Sequence, residues 1–239
     1  MNYYAKAAIF VDFDGTIVQR DIGDELFIAL GRFEPFHKQL LAGELKIGDY
    51  WRELFANLKE GTDPEAIREF ARGEQVDPYF VEFYKFCKSN GLPVAVVSDG
   101  FDLYIKEVLA GLGIEDMPVY CNKAEFVQGV WRLDYPRASE SCKCLCASCK
   151  RNSVISQVDD ETAIIYIGDG YSDYCAAEHS DIIFAKKHLA RYCSAHKLPY
   201  YPYKSFFDII KILKAGIDRG KWRARRGAAL ARKSAFESE

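Results

Sequence analysis

The chain's pattern predicts an open parallel α/β sheet with an inserted helical cap and a small β-hairpin. Three observations carry this reading. Four short apolar runs, at 7–11, 93–97, 164–167 and 181–185, are each bounded by polar or turn residues, as expected of parallel strands buried on both faces. Helical patterns separate the runs, and strands alternating with helices imply a sheet whose ligands sit beyond the carboxyl ends of the strands. Roughly 80 residues separate the first run from the second, far more than one crossover helix needs. The surplus predicts an inserted subdomain.

Taken in order, residues 1–18 and 90–216 make the core and 19–89 the cap. The cap text reads as four helices, "DELFIALGRF", "PFHKQLLAGEL", "IGDYWRELFANL" and "DPEAIREFARG", punctuated by Pro35, Gly43, Gly48, Gly61 and Pro64. Within the core, "DLYIKEVLAGLG" puts Leu103, Val108, Leu109 and Leu112 largely on one helical face before Gly113 stops it. Residues 119–136 alternate around Gln128-Gly129, a hairpin signal. A cysteine-rich loop follows, so that 119–150 form a hairpin and loop within the core. Residues 217–239, basic and alanine-rich, fit a surface helix or a solvated, frayed tail.

With 239 residues, 49% of them hydrophobic, the chain can bury a substantial core. Its 32 Lys and Arg stand against 35 Asp and Glu, a net charge of -3. That balance gives no general attraction to nucleic acid or anionic membranes. No apolar run reaches the ~18 residues of a membrane span, and the start "MNYYAKAAIFVDFDG" lacks the layout of an export signal. The expected compartment is the cytoplasm, where cysteines stay reduced or bind metal. Oligomeric state is not legible.

Chemistry concentrates where strands end. "DFDGT" puts Asp12 and Asp14 two apart, with Gly15 permitting a tight turn and Thr16 leaving it. Both carboxylates share a face if the chain stays extended; in a turn, Asp14 can offer its backbone carbonyl instead. "SDG" places the Ser98 hydroxyl and the backbone N–H of Gly100 where they suit a phosphate, although Ser and Asp there also suit a helix N-cap. "GDGYSD" adds Asp169 and Asp173, giving an oxygen-rich donor set suited to a small hard cation such as magnesium.

In order and context, these motifs resemble the haloacid dehalogenase-like (HAD) phosphatase superfamily, in its phosphoserine-phosphatase-like branch, over residues 7 to about 203. The resemblance implies a Rossmann-like core and a magnesium-dependent phosphomonoesterase acting on a small-molecule phosphate ester. It makes Asp12 the nucleophile that forms an aspartyl-phosphate and Asp14 the acid and base. It gives the metal to the Asp12 side chain, the Asp14 carbonyl and Asp169, and has Ser98 meet the phosphate. Thr16, Gly100 and Asp173 support these groups. The family's lysine at a helix start maps to Lys150, which opens an apolar helical pattern 19 positions before Asp169; Lys143 and Arg151 are rivals. Asp173 would orient that lysine or a metal-bound water.

Two residues bear on substrate choice. Asp21 corresponds to the acidic residue that meets the amino group in phosphoserine phosphatases, and it also suits the N-cap of the helix behind it. Asp99 adds negative charge near the phosphate, which counts against a substrate carboxylate, although Arg52, Arg68 or Arg72 of the cap could clamp one. The hairpin and loop resemble the methionine-salvage phosphatases, while "SDG" and "GDGYSDYC" look more like phosphocholine/phosphoethanolamine phosphatases. The former is the favoured reading. A phosphotransferase, or a non-catalytic metal-binding regulator, is the alternative of another class. In "SCKCLCASCK", Cys142, Cys144, Cys146 and Cys149 admit a structural metal, a metal-free thiol loop or disulfides.

Overall fold

In the computed structural model, which describes residues 3–139 and 146–237, the chain enters through β1 (Tyr3–Tyr4) and β2 (Lys6–Val11), then turns tightly at Phe13–Ile17. Helices α1 (Ile22–Leu30), α2 (Phe36–Leu41), α3 (Ile47–Ala56), α4 (Pro64–Arg72) and α5 (Phe80–Ser89) precede β3 (Val94–Phe101). Helix α6 (Asp102–Gly111) leads to the hairpin β4 (Val119–Val127) and β5 (Val130–Asp134). There follow α7 (Lys150–Ile155), β6 (Thr162–Gly168), α8 (Tyr174–Glu178), β7 (Ile182–Ala185), α9 (Lys187–Ala195) and β8 (Tyr201–Pro202). The chain closes with α10 (Phe206–Asp218), β9 (Trp222–Arg223) and α11 (Arg226–Glu237).

The main sheet has the order β5-β4-β3-β2-β6-β7-β8 and is parallel except for the β4–β5 hairpin. Side chains alternate across it as the strand period demands. Ala7, Ile9 and Val11 enter one core with Val94, Val96, Ile165 and Ile167, whereas Ala8 and Phe10 enter the other with Ala95, Val97, Ile164 and Tyr166. Because β3, β2 and β6 are neighbours and parallel, the ends that carry "SDG", "DFDGT" and "GDGYSD" come to one place. Sheet order thus assembles what the sequence keeps about 70 to 85 residues apart.

The cap leaves and rejoins the core through two adjacent segments. Val18 pairs with Val76, Gln19 N–H donates to Gln75 (2.9 Å) and Asp77 N–H to Ile17 (2.8 Å). Helices α1 and α4 start where Asp21 and Asp63 accept from Asp24 N–H (3.0 Å) and Ala66 N–H (2.9 Å), both N-caps. Helix α5 buries Phe80 and Phe83 against Phe206 of α10, so this last helix of the predicted 19–89 insert packs with the core. Trp51 and Phe55 of α3 meet Phe101 edge-on at 5.2 and 4.8 Å, and Phe55 meets Trp131 of the hairpin at 5.2 Å. The hairpin turns at Gln128 (φ 52) and Gly129 (φ 82), as a two-residue loop requires.

Of the two readings of the segment after residue 217, a surface helix and a solvated tail, the first is found, as α11. Strand β9 pairs with β1, and α11 buries Ala228 and Ala235. Arg225 donates to the carbonyls of Ala177 (2.9 Å) and Ser180 (2.8 Å), and Arg232 reaches Asp181 at 3.0 Å. Two of the basic residues that suggested a free end, Arg225 and Arg232, satisfy the carbonyls closing α8. No helix of the described residues is long and apolar enough to cross a membrane.

Candidate active site

The floor is built by the turn after β2. Asp12 is extended (φ -66, ψ 155), then Asp14 (φ -70, ψ 129) and Gly15 (φ 70, ψ -4) make a type II-like turn. Glycine is required twice over, by its positive φ and because a Cβ there would lie 2.4 Å from Asp169 Oδ2. The turn sends the two carboxylates apart. Asp12 stays with the buried group, whereas Asp14 Oδ1 accepts from Ile22 N–H (2.9 Å) at the start of the cap. Thr16 Oγ1 lies 3.4 Å from Asp12 Oδ2 and 3.3 Å from Asp169 Oδ1.

Lys150, 2% exposed, donates to Asp12 Oδ1 at 2.6 Å and Asp173 Oδ1 at 2.7 Å. Burial disfavours its charge, but the two carboxylates outweigh that and hold its pKa above the ordinary lysine value. Asp173 is already surrounded by donors. Tyr166 OH reaches Oδ1 at 2.7 Å, and the N–H groups of Asp169 and Gly170 each reach Oδ2 at 2.9 Å. Asp173 therefore orients the lysine. Of the two rivals, Arg151 turns away to Asn152 (2.9 Å) and Ser139 (3.4 Å), and Lys143 lies outside the described residues.

Ser98 does not cap a helix. Its buried hydroxyl accepts from Gly100 N–H at 2.9 Å, and α6 begins only at Asp102. Asp99 likewise turns away from the floor and ties three elements together. Its carboxylate accepts from Ala147 N–H (2.6 Å), Asn122 Nδ2 (3.3 Å) and Trp51 Nε1 (3.4 Å). Burial raises it to about 7 despite these donors. Asp21 caps α1 while also lining the cavity. Burial, followed by the charges of Asp21 and Asp12, raises Asp14 well above the carboxylate range.

These groups line one cavity of about 510 Å³ whose cap side is formed by His37, Leu40, Ile47, Tyr50 and Trp51. Among the described residues, no arginine lines it. Arg52 pairs with Asp49 (2.6 Å), and Arg68 and Arg72 pair with Glu65 and Glu107, so none of the three takes up the expected clamp position. Cys142 and Cys144 lie outside the described residues. Cys146 and Cys149 are buried, and each thiol shifts the other's acidity, with Cys149 held down at about 6. Sequence reasoning missed Lys187, whose Nζ lies 2.9 Å from Asp169 Oδ2, and Tyr166. A tyrosine inside a strand and one lysine of a tandem pair look like core and surface, and only sheet order brings them here.

Residues 9–178 match the haloacid dehalogenase-like hydrolase family, and the chain belongs to it. Among curated relatives, a 2-hydroxy-3-keto-5-methylthiopentenyl-1-phosphate phosphatase of Exiguobacterium sibiricum is 30% identical over 86% of this chain and 95% of its own length. The polyol phosphate phosphatase of Saccharomyces cerevisiae is also 30% identical, over 87% of this chain and 93% of its own. A solved phosphoserine phosphatase holding a phospho-aspartyl intermediate analogue superposes with a TM-score of 0.64, at 20% identity, over 87% of this chain and 98% of that one. The last likeness concerns the fold.

Proposed function

We propose that this chain is a magnesium-dependent phosphomonoesterase that cleaves a small-molecule phosphate ester through an aspartyl-phosphate on Asp12. The observation that carries the reading is the buried Asp12–Lys150–Asp173 chain at the foot of a cavity that also holds Asp14, Ser98 and Asp169. Asp12 attacks phosphorus, and the bond to the leaving oxygen breaks as Asp14 gives up its proton to that oxygen. Asp14 then takes a proton from water. The water oxygen bonds to phosphorus, and the phosphorus bond to Asp12 breaks. Lys150, held by Asp173, stabilises charge on Asp12 and on the phosphoryl oxygens. The Ser98 hydroxyl, held by Gly100 N–H, orients the phosphoryl group.

Donor chemistry fits a hard cation. Carboxylate oxygens of Asp12, Asp169 and Asp173 lie within 4.8 Å of one another, all of the oxygen type magnesium prefers. Since Asp173 has its oxygens taken by Lys150, Tyr166 and two N–H groups, the assignment is to Asp12, Asp169 and the Asp14 carbonyl. When bound, magnesium supplies positive charge that offsets repulsion between these carboxylates and the phosphate dianion.

For the substrate, the methionine-salvage ester named for the Exiguobacterium relative remains the favoured reading. Phosphoserine loses ground because no arginine among the described residues lines the cavity to meet its carboxylate. A panel of phosphomonoesters, including phosphoserine, phosphocholine and polyol phosphates, assayed for phosphate release with magnesium and then with EDTA, tests the proposal. Release that needs magnesium and no added acceptor supports a hydrolase; release indifferent to EDTA, or only in the presence of an acceptor alcohol, rejects it.

A further inference from the structure

The site's charge balance singles out one residue. Among the described residues, six aspartates line the cavity, Asp12, Asp14, Asp21, Asp24, Asp99 and Asp169, against two lysines, Lys150 and Lys187. Burial raises Asp14, Asp24 and Asp99 and so lessens the negative charge of the wall, yet entry of a phosphate dianion still gains from a cation at the surface. Lys150 cannot do so, because it is 2% exposed and held by Asp12 and Asp173. The Lys187 side chain is 50% exposed, with its ammonium 2.9 Å from Asp169 Oδ2 and 3.5 Å from the Gly15 carbonyl. It stands at the mouth while touching the floor.

The backbone supplies a second, independent sign. Lys187 has φ 46, a left-handed conformation uncommon for a residue with a side chain. It is imposed from both sides, by Lys186 N–H donating to Gly168 O (3.3 Å) and Leu189 N–H to Asp169 O (2.9 Å). The acceptors are the last residue of β6 and Asp169 itself. The start of α9 is thus pinned to the site's own loop, and strained backbone held in this way at a cleft points to function rather than to packing. A surface lysine whose only task was solubility would need no such anchoring.

We infer that Lys187 is the group that captures the substrate's phosphate at the cavity mouth and passes it to Ser98 and Lys150, a binding role in the reaction proposed above and resting on that reading. On this account the ammonium exchanges part of its contact with Asp169 for a phosphoryl oxygen as the ester enters, which its flexible stem permits. Loss of the charge slows capture more than chemistry.

The test compares the wild type with Lys187→Gln and Lys187→Arg in steady-state kinetics at several ionic strengths, with inorganic phosphate as a competitive probe and magnesium binding followed by calorimetry. For Lys187→Gln the expected result is a fall of ~10-fold or more in kcat/KM with a smaller change in kcat, as for lost electrostatic steering. Phosphate inhibition should weaken in parallel, and kcat/KM should depend less on salt; Lys187→Arg should keep most of each. Unchanged kcat/KM and salt dependence in Lys187→Gln overturn the inference. So does weaker magnesium binding with unaltered phosphate inhibition, which would make Lys187 a positioning residue for Asp169. A wild type that binds no phosphate and releases none from any ester rejects the phosphatase reading itself, a separate outcome from a wild type that works and a Gln variant that works equally well.

Discussion

The floor of the cavity and the wall at the first cap helix both carry aspartates, yet they use the carboxylate differently. On the floor, Asp12 and Asp173 share an ammonium, and Asp173 receives three further donors. Those charges are paid for locally. On the wall, Asp14 has one N–H partner from the first turn of α1, and Asp24 is pushed up to about 7 by burial and by the neighbouring Asp21 and Glu25. Burial raises the carboxyls of both Asp12 and Asp14, but only Asp12 has the Lys150 ammonium in hydrogen-bond contact to oppose it. Nucleophile and acid therefore differ by environment rather than by residue type.

Breaking the floor should have the largest effect. Asp12→Asn is expected to abolish magnesium-dependent phosphate release while the circular dichroism spectrum and melting transition persist, because Thr16 and Lys150 can still approach an amide oxygen. Lys150→Ala should lower turnover by ~10³-fold, on the scale of losing a preorganised charge. It should also destabilise the fold by ~3 kcal/mol, because two carboxylates are left buried without their cation; denaturant unfolding measures this. Activity surviving in that variant would assign the role to another lysine.

The wall should respond less. Asp99→Ala leaves Ala147 N–H, Asn122 and Trp51 without their acceptor, at a cost of ~1–3 kcal/mol. It should raise KM more than it lowers kcat, as the loop before Lys150 and the cap lose a shared tie. Smallest is Asp24→Asn. A folded-state pKa near 7, above the unfolded value, means that the folded protein holds the extra proton between about pH 4 and 7. Stability is therefore complete below that window and lost as pH rises through it. The variant should melt slightly above the wild type at pH 8 and level with it at pH 4; the reverse order would mean that Asp24 is stabilised as a charge.

The same contrast explains what the sequence revealed. Asp12, Asp14, Ser98, Asp169 and Asp173 were legible because each stands in a short run at the end of an apolar strand, where local order implies location. Lys150 was legible through the helix it opens. The strands at 7–11 and 181–185 were found nearly whole, since burial on both faces writes a continuous apolar run. The orientation of Asp99 was not legible, since its partners Trp51, Asn122 and Ala147 come from three separate parts of the chain. Nor were Lys187, its left-handed backbone or the docking of α11, which depend on which strands lie side by side. Basic residues at 219–233 read as solvated until Arg225 and Arg232 were seen on the carbonyls closing α8.

The covalent role of Asp12 can be read most directly by quenching the enzyme in acid during turnover with magnesium and a cleavable phosphomonoester, reducing with borohydride and mapping the peptides by mass spectrometry. The account predicts that position 12 is converted to homoserine in the wild type, only when the ester is present, and that Asp14 is untouched. An unmodified Asp12 in an enzyme that is releasing phosphate, or label at Asp14 or Asp169 instead, would contradict it.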